Sequence, residues 1–594
     1  MSKAQANKTG AEQVTWDLDD LYASGADPQI EKDLDSADER AQKLAQAFRG
    51  RIAELGATKL CEVIREFEDI WETALKACDY AHLDWSTNTQ DASRGALLQK
   101  TRERRSQLNQ RVLFLELEWA QMEDQQAEKL LAQPQLQAYR HWLVVLRLFK
   151  PYLLSEAEEK ILSEKAVTGR EAWVRFFDEL HGAARYDLDG EQVPLERVLS
   201  RLHHANRDTR RKAAESLTAG LRGAARITTS VFNNILADKA SDDRLRGYST
   251  WIASRNLSNQ VDDATVETLI EAVTSRYDIV DRYYQLKRSL LDVDELYDYD
   301  RYAPLPAADH QYAWDEARKI VLEAYGSFHP EMLAIAELFF EKRWIDAPVR
   351  PGKQGGAYAA ATVPSVHPYV LLNYLGTTRD VMTLAHELGH GVHQKLSGKQ
   401  GLLQSDAPLT TAETASTFGE MLVFHDLMAR EDNRDVRMAM LVSKIEDSFA
   451  TVFRQVAMNR FEERIHGQRR SQGELTTQQL SDLWMETQRA MFSRSVTLTD
   501  NYAVWWSYIP HFLHTPGYVY AYAFGELLVL ALYARYQEVG SAFAEDYLAM
   551  LAKGGSDWPK ELVQPLGVDL TDPVFWSRGL EILSDMVTQA EKLA

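Results

Sequence analysis

The chain has 594 residues, 45% of them hydrophobic and 26% charged, and a formal net charge of −21. That length exceeds one compact core and predicts two or more lobes of an ordinary globular protein. The negative charge argues against a nucleic-acid-binding surface, and no run of about 18 apolar residues offers a membrane span. The two cysteines, Cys61 and Cys78, are too few for a disulfide framework and lack the spacing of a redox or zinc pair, which fits a reducing compartment. The N-terminus shows no apolar h-region, so a cytoplasmic location is expected.

Residues 1–14 are polar and are read as frayed. Order begins at Trp16-Asp-Leu-Asp-Asp-Leu-Tyr22. Helical periodicity then predicts Glu31–Leu55, Lys59–Ser86, Gly95–Gln125 and Gln137–Phe149. Glu156–Lys165 and Arg170–His181 continue it, with Thr168-Gly169 as a break. Tyr186–Pro194 alternates around Asp189-Gly190 and predicts a small hairpin. A boundary near residue 200 separates an N-terminal helical lobe, 1–200, from a second region, 201–594. Helices resume at Arg207–Lys239 and Asp263–Leu291. Strand character is concentrated in Gly355–Pro364 and His367–Tyr374. A strand there can present an edge to which an extended peptide adds through main-chain hydrogen bonds. Further helices are predicted at Thr411–Arg430, at Arg437–His466 and on to Ala594, with a loop over Ser397–Pro408. The fold class is therefore mainly α, with a small β-sheet beside the helix described next.

That helix is Val381–His393. Leu384, Leu388 and Val392 recur every four residues and face a core, and Thr377 with Asp380 forms a capping-box pattern at its start. His386 and His390 project from one face, one turn apart, with Glu387 on its flank. This is H-E-x-x-H, the pattern in which two histidines hold zinc and the glutamate works on the bound water. With 15 histidines and about half of the 88 acidic residues taken as Glu, it arises by chance about 0.03 times in such a chain, so context must decide. The remaining positions, Met382, Leu384, Ala385, Leu388 and Val392, are apolar. A helix that apolar is buried, and buried histidines need partners.

A catalytic zinc takes three protein ligands and leaves one position open. His393 is one candidate for the third, but it lies about 10 Å up the helix axis from the first histidine and is better placed to pack. An astacin-like extension would need glycine at 393 and histidine at 396, where this chain has His393 and Leu396. A thermolysin-like spacing would put a glutamate at 409 or 410, which are Leu409 and Thr410. Glu413 is the better candidate, far enough beyond His390 for a loop and a return helix. Glu420, two turns further on the same face, is placed to hydrogen-bond the back of a ligand histidine, and Ser416 lies between them.

His386-Glu-Leu-Gly-His-Gly-Val-His393 followed by Ala412-Glu-Thr-Ala-Ser-Thr-Phe-Gly-Glu420 resembles the oligoendopeptidase F branch of the thimet-oligopeptidase family of zinc metallopeptidases. Trp16–Tyr22, Thr168–Trp173, Gly356-Ala-Tyr358 and His511–Gly525 agree, so the resemblance covers nearly the whole chain. It implies a two-lobed, clam-like helical fold with a deep channel, and cleavage of internal bonds in short peptides. It also implies one zinc ion on His386, His390 and Glu413, with Glu387 as the base. The family uses a histidine and tyrosines to share the negative charge of the reacting carbonyl, and losing one such donor typically costs about 3 kcal/mol. The segment His511–Gly525 offers His514, Tyr518 and Tyr522, with His511 close behind; Tyr520 fits a core position better.

Two other readings compete. A zinc dipeptidyl carboxypeptidase or other exopeptidase needs a charged clamp for a substrate terminus, which neither Arg469 nor Arg470 can be assigned from sequence. A zinc-containing peptide-binding protein without catalysis would have no use for Glu387.

Overall fold

The computed structural model describes residues 9–305 and 310–594. Of the N-terminal stretch read as frayed, residues 1–8 lie outside the described residues; Ala11–Gln13 forms a short 3-10 turn. The chain divides into two compact units, each assembled from three segments. One comprises Met1–Lys150, Asp309–Arg430 and Arg535–Val568; the other Pro151–Ala308, Glu431–Ala534 and Asp569–Ala594. Residue 200 falls within the helix Leu195–Arg201, inside the second unit.

The first unit begins with Pro28–Phe48, Ala57–Thr87 and Ala92–Val112, helices whose apolar stripes meet in one core around Leu60, Ile64, Phe67 and Trp119. The predicted Gly95–Gln125 helix is interrupted at Leu113 and resumes as Phe114–Gln121. The second unit is organised on the long helix Arg207–Arg246, which outruns its predicted end at Lys239. Asn206 caps its start, and Gly247, at φ 83°, ends it. Its core gathers Phe232, Phe461, Trp484, Trp506 and Phe512. The predicted hairpin forms as β1 (Tyr186–Leu188) and β2 (Glu191–Val193), with Asp189 and Gly190 both at positive φ in the turn. The predicted Arg437–His466 helix is two helices, Arg434–Thr451 and Phe453–Gln472, broken at Val452.

The small sheet lies in the first unit. β3 (Ile345–Asp346) runs parallel to β5 (Tyr369–Leu371), and β4 (Tyr358–Ala360) runs antiparallel to it, giving the order β3-β5-β4. β4 is therefore an edge. β3, two residues long, carries no alternation that a sequence reading can use. Lys353, fully buried, fixes the loop before β4: its Nζ pairs with Asp346 Oδ1 (2.7 Å) and donates to the carbonyls of Pro348 and Leu372.

The motif helix, Thr378–Ser397, begins with the predicted capping box. Thr377 Oγ1 accepts from Asp380 N (3.2 Å), and Asp380 Oδ2 accepts from Thr377 N (2.9 Å). Val381, Leu384, Leu388 and Val392 are fully buried along one stripe. The return helix, Thr414–Arg430, packs against this helix at very short range. A Cβ on Gly389 would lie 2.5 Å from Ala415 O and 2.7 Å from Ser416 Cα, and a Cβ on Gly419 would strike the Tyr325 hydroxyl. That hydroxyl in turn donates to the carbonyl of Ala385. Backbone cannot move aside as a side chain does, so Gly389 sets the separation of the two helices.

A first expected result follows from that packing. Glycine to alanine inside a helix ordinarily stabilises by about 1 kcal/mol. Gly389→Ala should instead destabilise by about 1–3 kcal/mol, because the methyl must push the two backbones apart. Thermal denaturation of the metal-free protein measures the sign; a raised Tm would contradict this account of the interface.

Candidate metal centre

The two helices bring three side chains to one point. His386 Nε2 and His390 Nε2 lie 3.4 and 3.3 Å from the same oxygen, Oε2 of Glu413. One ligand atom from each of the three residues lies within 4.8 Å of the others, a set able to hold a metal ion. Glu413 sits at the joint between Leu409–Ala412 and the return helix, with φ −85° and ψ 2°, so the helix predicted from Thr411 is interrupted there. That interruption turns the carboxylate towards the histidines. Ser416 Oγ donates to Glu413 Oε2 (2.7 Å) and holds it.

Glu420 occupies the position expected for it behind the first histidine. Its Oε1 lies 2.6 Å from His386 Nδ1. With the proton kept on Nδ1 by that carboxylate, the Nε2 lone pair is left for a cation. Burial pushes the His386 imidazole down, but the Glu420 hydrogen bond and charge, with Glu413 beyond, raise it to about 9. Burial likewise pushes the Glu413 carboxyl up, and the hydrogen bond from His390 with the charges of His390 and His386 brings it down to about 2. In the metal-free centre the His386 imidazole is thus held protonated by carboxylates, and a divalent cation would replace that proton.

Glu387 is buried and stands beside this group. Burial raises its carboxyl against the lowering influence of His386 and His390, and it accepts the backbone N–H of Ala359 in β4. The Ala359 carbonyl is 3.4 Å from the Gln394 side-chain amide. Both main-chain groups of Ala359 therefore point away from β5, towards the motif helix. His393 is fully enclosed, and burial pushes its imidazole down to about 4, so it is neutral and lies outside the three-ligand group. All of these residues border one cavity of about 520 Å³ in the first unit. Asp406, another of its wall residues, belongs to no motif and was not visible in the sequence.

The second unit holds the histidine–tyrosine segment. His511 Nε2 lies 3.3 Å from the Tyr522 hydroxyl, and the Tyr518 and Tyr522 rings are edge to face at 5.0 Å. His514 is turned elsewhere, with Nε2 2.8 Å from Asp178 Oδ1. Tyr520 is buried and its hydroxyl accepts from the Asn259 amide (2.9 Å), the core role expected of it. The turn between them is fixed: Gly517, at φ 76°, donates its N–H to the buried Glu462 (2.8 Å). Arg470, a candidate clamp, pairs with Asp243 of the same unit at 2.5 Å.

Comparison with known proteins places the chain in a family. The family model for peptidase family M3 matches residues 200–582, and that for the oligopeptidase F N-terminal region matches residues 118–186. The chain is 25% identical to oligopeptidase PepF of Bacillus subtilis, over 98% of its own length and 87% of that protein's. It is 26% identical to group B oligopeptidase PepB of Streptococcus agalactiae, over 98% and 97%. Among solved structures, a Chlamydophila abortus protein superposes with a TM-score of 0.90 at 22% identity, covering 98% of both chains. Oligoendopeptidase-F from Enterococcus faecium gives 0.68 at 22%, covering 95% of this chain and 97% of that one. The chain is a peptidase of the oligopeptide-hydrolysing kind. It belongs to the oligoendopeptidase F branch of peptidase family M3. Among the described residues no helix is long and apolar enough to cross a membrane.

The Glu420 contact yields a second expected result. Glu420→Gln should weaken metal binding by about 10–100-fold, because the ligand histidine loses the charge that orients it and makes it a better donor. Below about pH 9 an incoming ion must displace a proton from His386, so wild-type affinity should rise about tenfold per pH unit towards that value. The variant should show a shallower slope. Titration calorimetry in buffers of different ionisation enthalpy reads both, and an unchanged slope would remove Glu420 from this role.

Proposed function

We propose that the chain is a zinc-dependent endopeptidase hydrolysing internal bonds of short oligopeptides, with His386, His390 and Glu413 as ligands and Glu387 as general base. The observation that carries it is the convergence of two imidazole Nε2 atoms on the Glu413 carboxylate, beside a buried Glu387, at an open cavity. Two imidazoles and one carboxylate, with space in front of them, match the donor set of a catalytic rather than a structural zinc site. A bound zinc ion would supply the positive charge that acidifies a water molecule and offsets charge on the carbonyl oxygen.

The chain's residues supply the rest. Glu387, raised by burial, takes the proton of the attacking water and hands it to the leaving amine. β4 is an edge strand, and an extended peptide lying along the motif helix would pair with it by displacing the Glu387 and Gln394 contacts of Ala359. For the donors that share the developing negative charge we propose His511, Tyr518 and Tyr522. The pairing of His514 with Asp178 favours His511 over His514 as the histidine of that set. Among the described residues the cavity wall has no lysine or arginine to clamp a substrate carboxylate, which favours internal cleavage over a carboxypeptidase mode. Residues 201–594 are taken as the catalytic region, and the free, buried Cys61 and Cys78 fit the cytoplasm.

Mass-spectrometric digestion of a peptide mixture tests the reading. The zinc-loaded protein should make internal cuts confined to the shorter peptides. Removal of terminal residues alone would make it an exopeptidase, and no cut at any length would leave only peptide binding.

A further inference from the structure

The cavity beside the motif helix carries an acidic group that bond cleavage does not use. Asp406 shares its wall with the three candidate ligands and Glu387. Asp406 is an exposed residue, and no hydrogen bond or ion pair holds its carboxylate among the described residues. Among the described residues no lysine or arginine lines the cavity.

The position of Asp406 is built rather than incidental. Gly555 N–H donates to Gln404 O (2.9 Å), and a Cβ on Gly555 would collide with the Asp406 carbonyl. Gly554, at φ 49°, brings its backbone so close that a Cβ would lie 2.8 Å from Ser397 Cβ on the motif helix. The Gln404 side chain accepts from Trp142 N (3.1 Å) and donates to Ala138 O, while Leu403 N donates to Glu68 Oε1 (3.3 Å). The loop is clamped on both sides, which holds Asp406 in the cavity wall. An exposed carboxylate without a protein partner is open to pair with an incoming cation.

We propose that Asp406 is a specificity determinant, recognising a cationic nitrogen of the bound peptide, a lysine or arginine side chain near the scissile bond. This rests on the peptidase reading above. It concerns which peptides are preferred, not whether bonds are broken.

Matched peptides carrying lysine or norleucine at successive positions around one cleavable bond test it, with wild type, Asp406→Asn and Asp406→Lys. The readout is the ratio of kcat/KM for each lysine peptide over its norleucine twin. A ratio is independent of how much of a preparation is active, so a partly misfolded variant leaves the test intact. Wild type should favour lysine by about tenfold at one position. Asp406→Asn should bring that ratio near one, and Asp406→Lys should reverse it. If lysine and norleucine peptides are cleaved equally and only N-terminal acetylation slows cleavage, the cation read is the terminal amine, and the side-chain assignment is overturned. Equal ratios in wild type and Asp406→Asn, with both peptides cleaved, overturn the inference while leaving the peptidase reading in place. No turnover of any peptide, with no lysine-dependent binding, overturns both.

Discussion

Replacing Glu387 by glutamine is expected to lower kcat/KM for peptide cleavage by about 10²–10⁴-fold while the protein keeps its metal. That range is what a positioned general base contributes. Glutamine has the shape of glutamate and retains an oxygen that can accept the Ala359 N–H, so the cavity wall should hold its form. What it cannot do is take a proton. Glu387 also lies outside the three-residue group able to hold the ion, so metal content should not change. Burial raises the Glu387 carboxyl, which has a kinetic consequence of definite sign. A base works only when deprotonated. Its raised value should therefore place the acid limb of the wild-type pH–rate profile above the ordinary glutamate range, activity falling as pH drops through it. The residual activity of Glu387→Gln should lack that limb. Metal analysis beside steady-state kinetics decides the matter: near-wild-type turnover by the metal-loaded variant would remove Glu387 from the chemistry.

Much of this centre was legible because the residues that make it obey strict spacing. His386 and His390 need one helical turn between them, and Thr377–Asp380 and the Leu384-Leu388-Val392 stripe announce a helix on their own. Glu420, two turns from Glu413, was legible for the same reason. Other features left no local signal. The break at Glu413 needs neither glycine nor proline, so the sequence from Thr411 reads as unbroken helix although a single non-helical residue aims the carboxylate. β3 is two residues long and exists only because β5 pairs with it. The orientations of His511 and His514 are set by partners, Tyr522 and Asp178, of which the second is 336 residues away in the chain. Asp406 is placed by Gly554 and Gly555, far from it in sequence, and its own neighbours form no pattern. Periodicity reports which face of an element is buried; it does not report which distant backbone will press against that face.

The loss of Glu413 is expected to empty the centre. In Glu413→Ala only the two imidazoles remain, and a divalent ion held by two neutral donors exchanges readily. Removing even an outer partner of a ligand costs about 10–100-fold in affinity, so removing the ligand itself should exceed about 100-fold. Activity should fall with occupancy and return only in part at high zinc. Glu413→Asp separates reach from charge. It keeps the carboxylate but shortens the side chain by one methylene, and Glu413 already stands 3.3–3.4 Å from the two Nε2 atoms. Aspartate should therefore restore little of the affinity.

The metal-free protein offers an independent readout. The Glu413 carboxyl is held at about 2, below its ordinary value, so its pairing contributes stability at neutral pH that is lost as pH falls from about 4.5 through 2. Glu413→Ala should lack that acid-dependent loss. Added zinc should raise the wild-type Tm by binding the folded state alone, and should leave the variant nearly unmoved at the same concentration. A Glu413→Ala protein that bound zinc as tightly as wild type would show that the ion is held elsewhere, because no other described carboxylate stands within reach of both His386 and His390 at this joint.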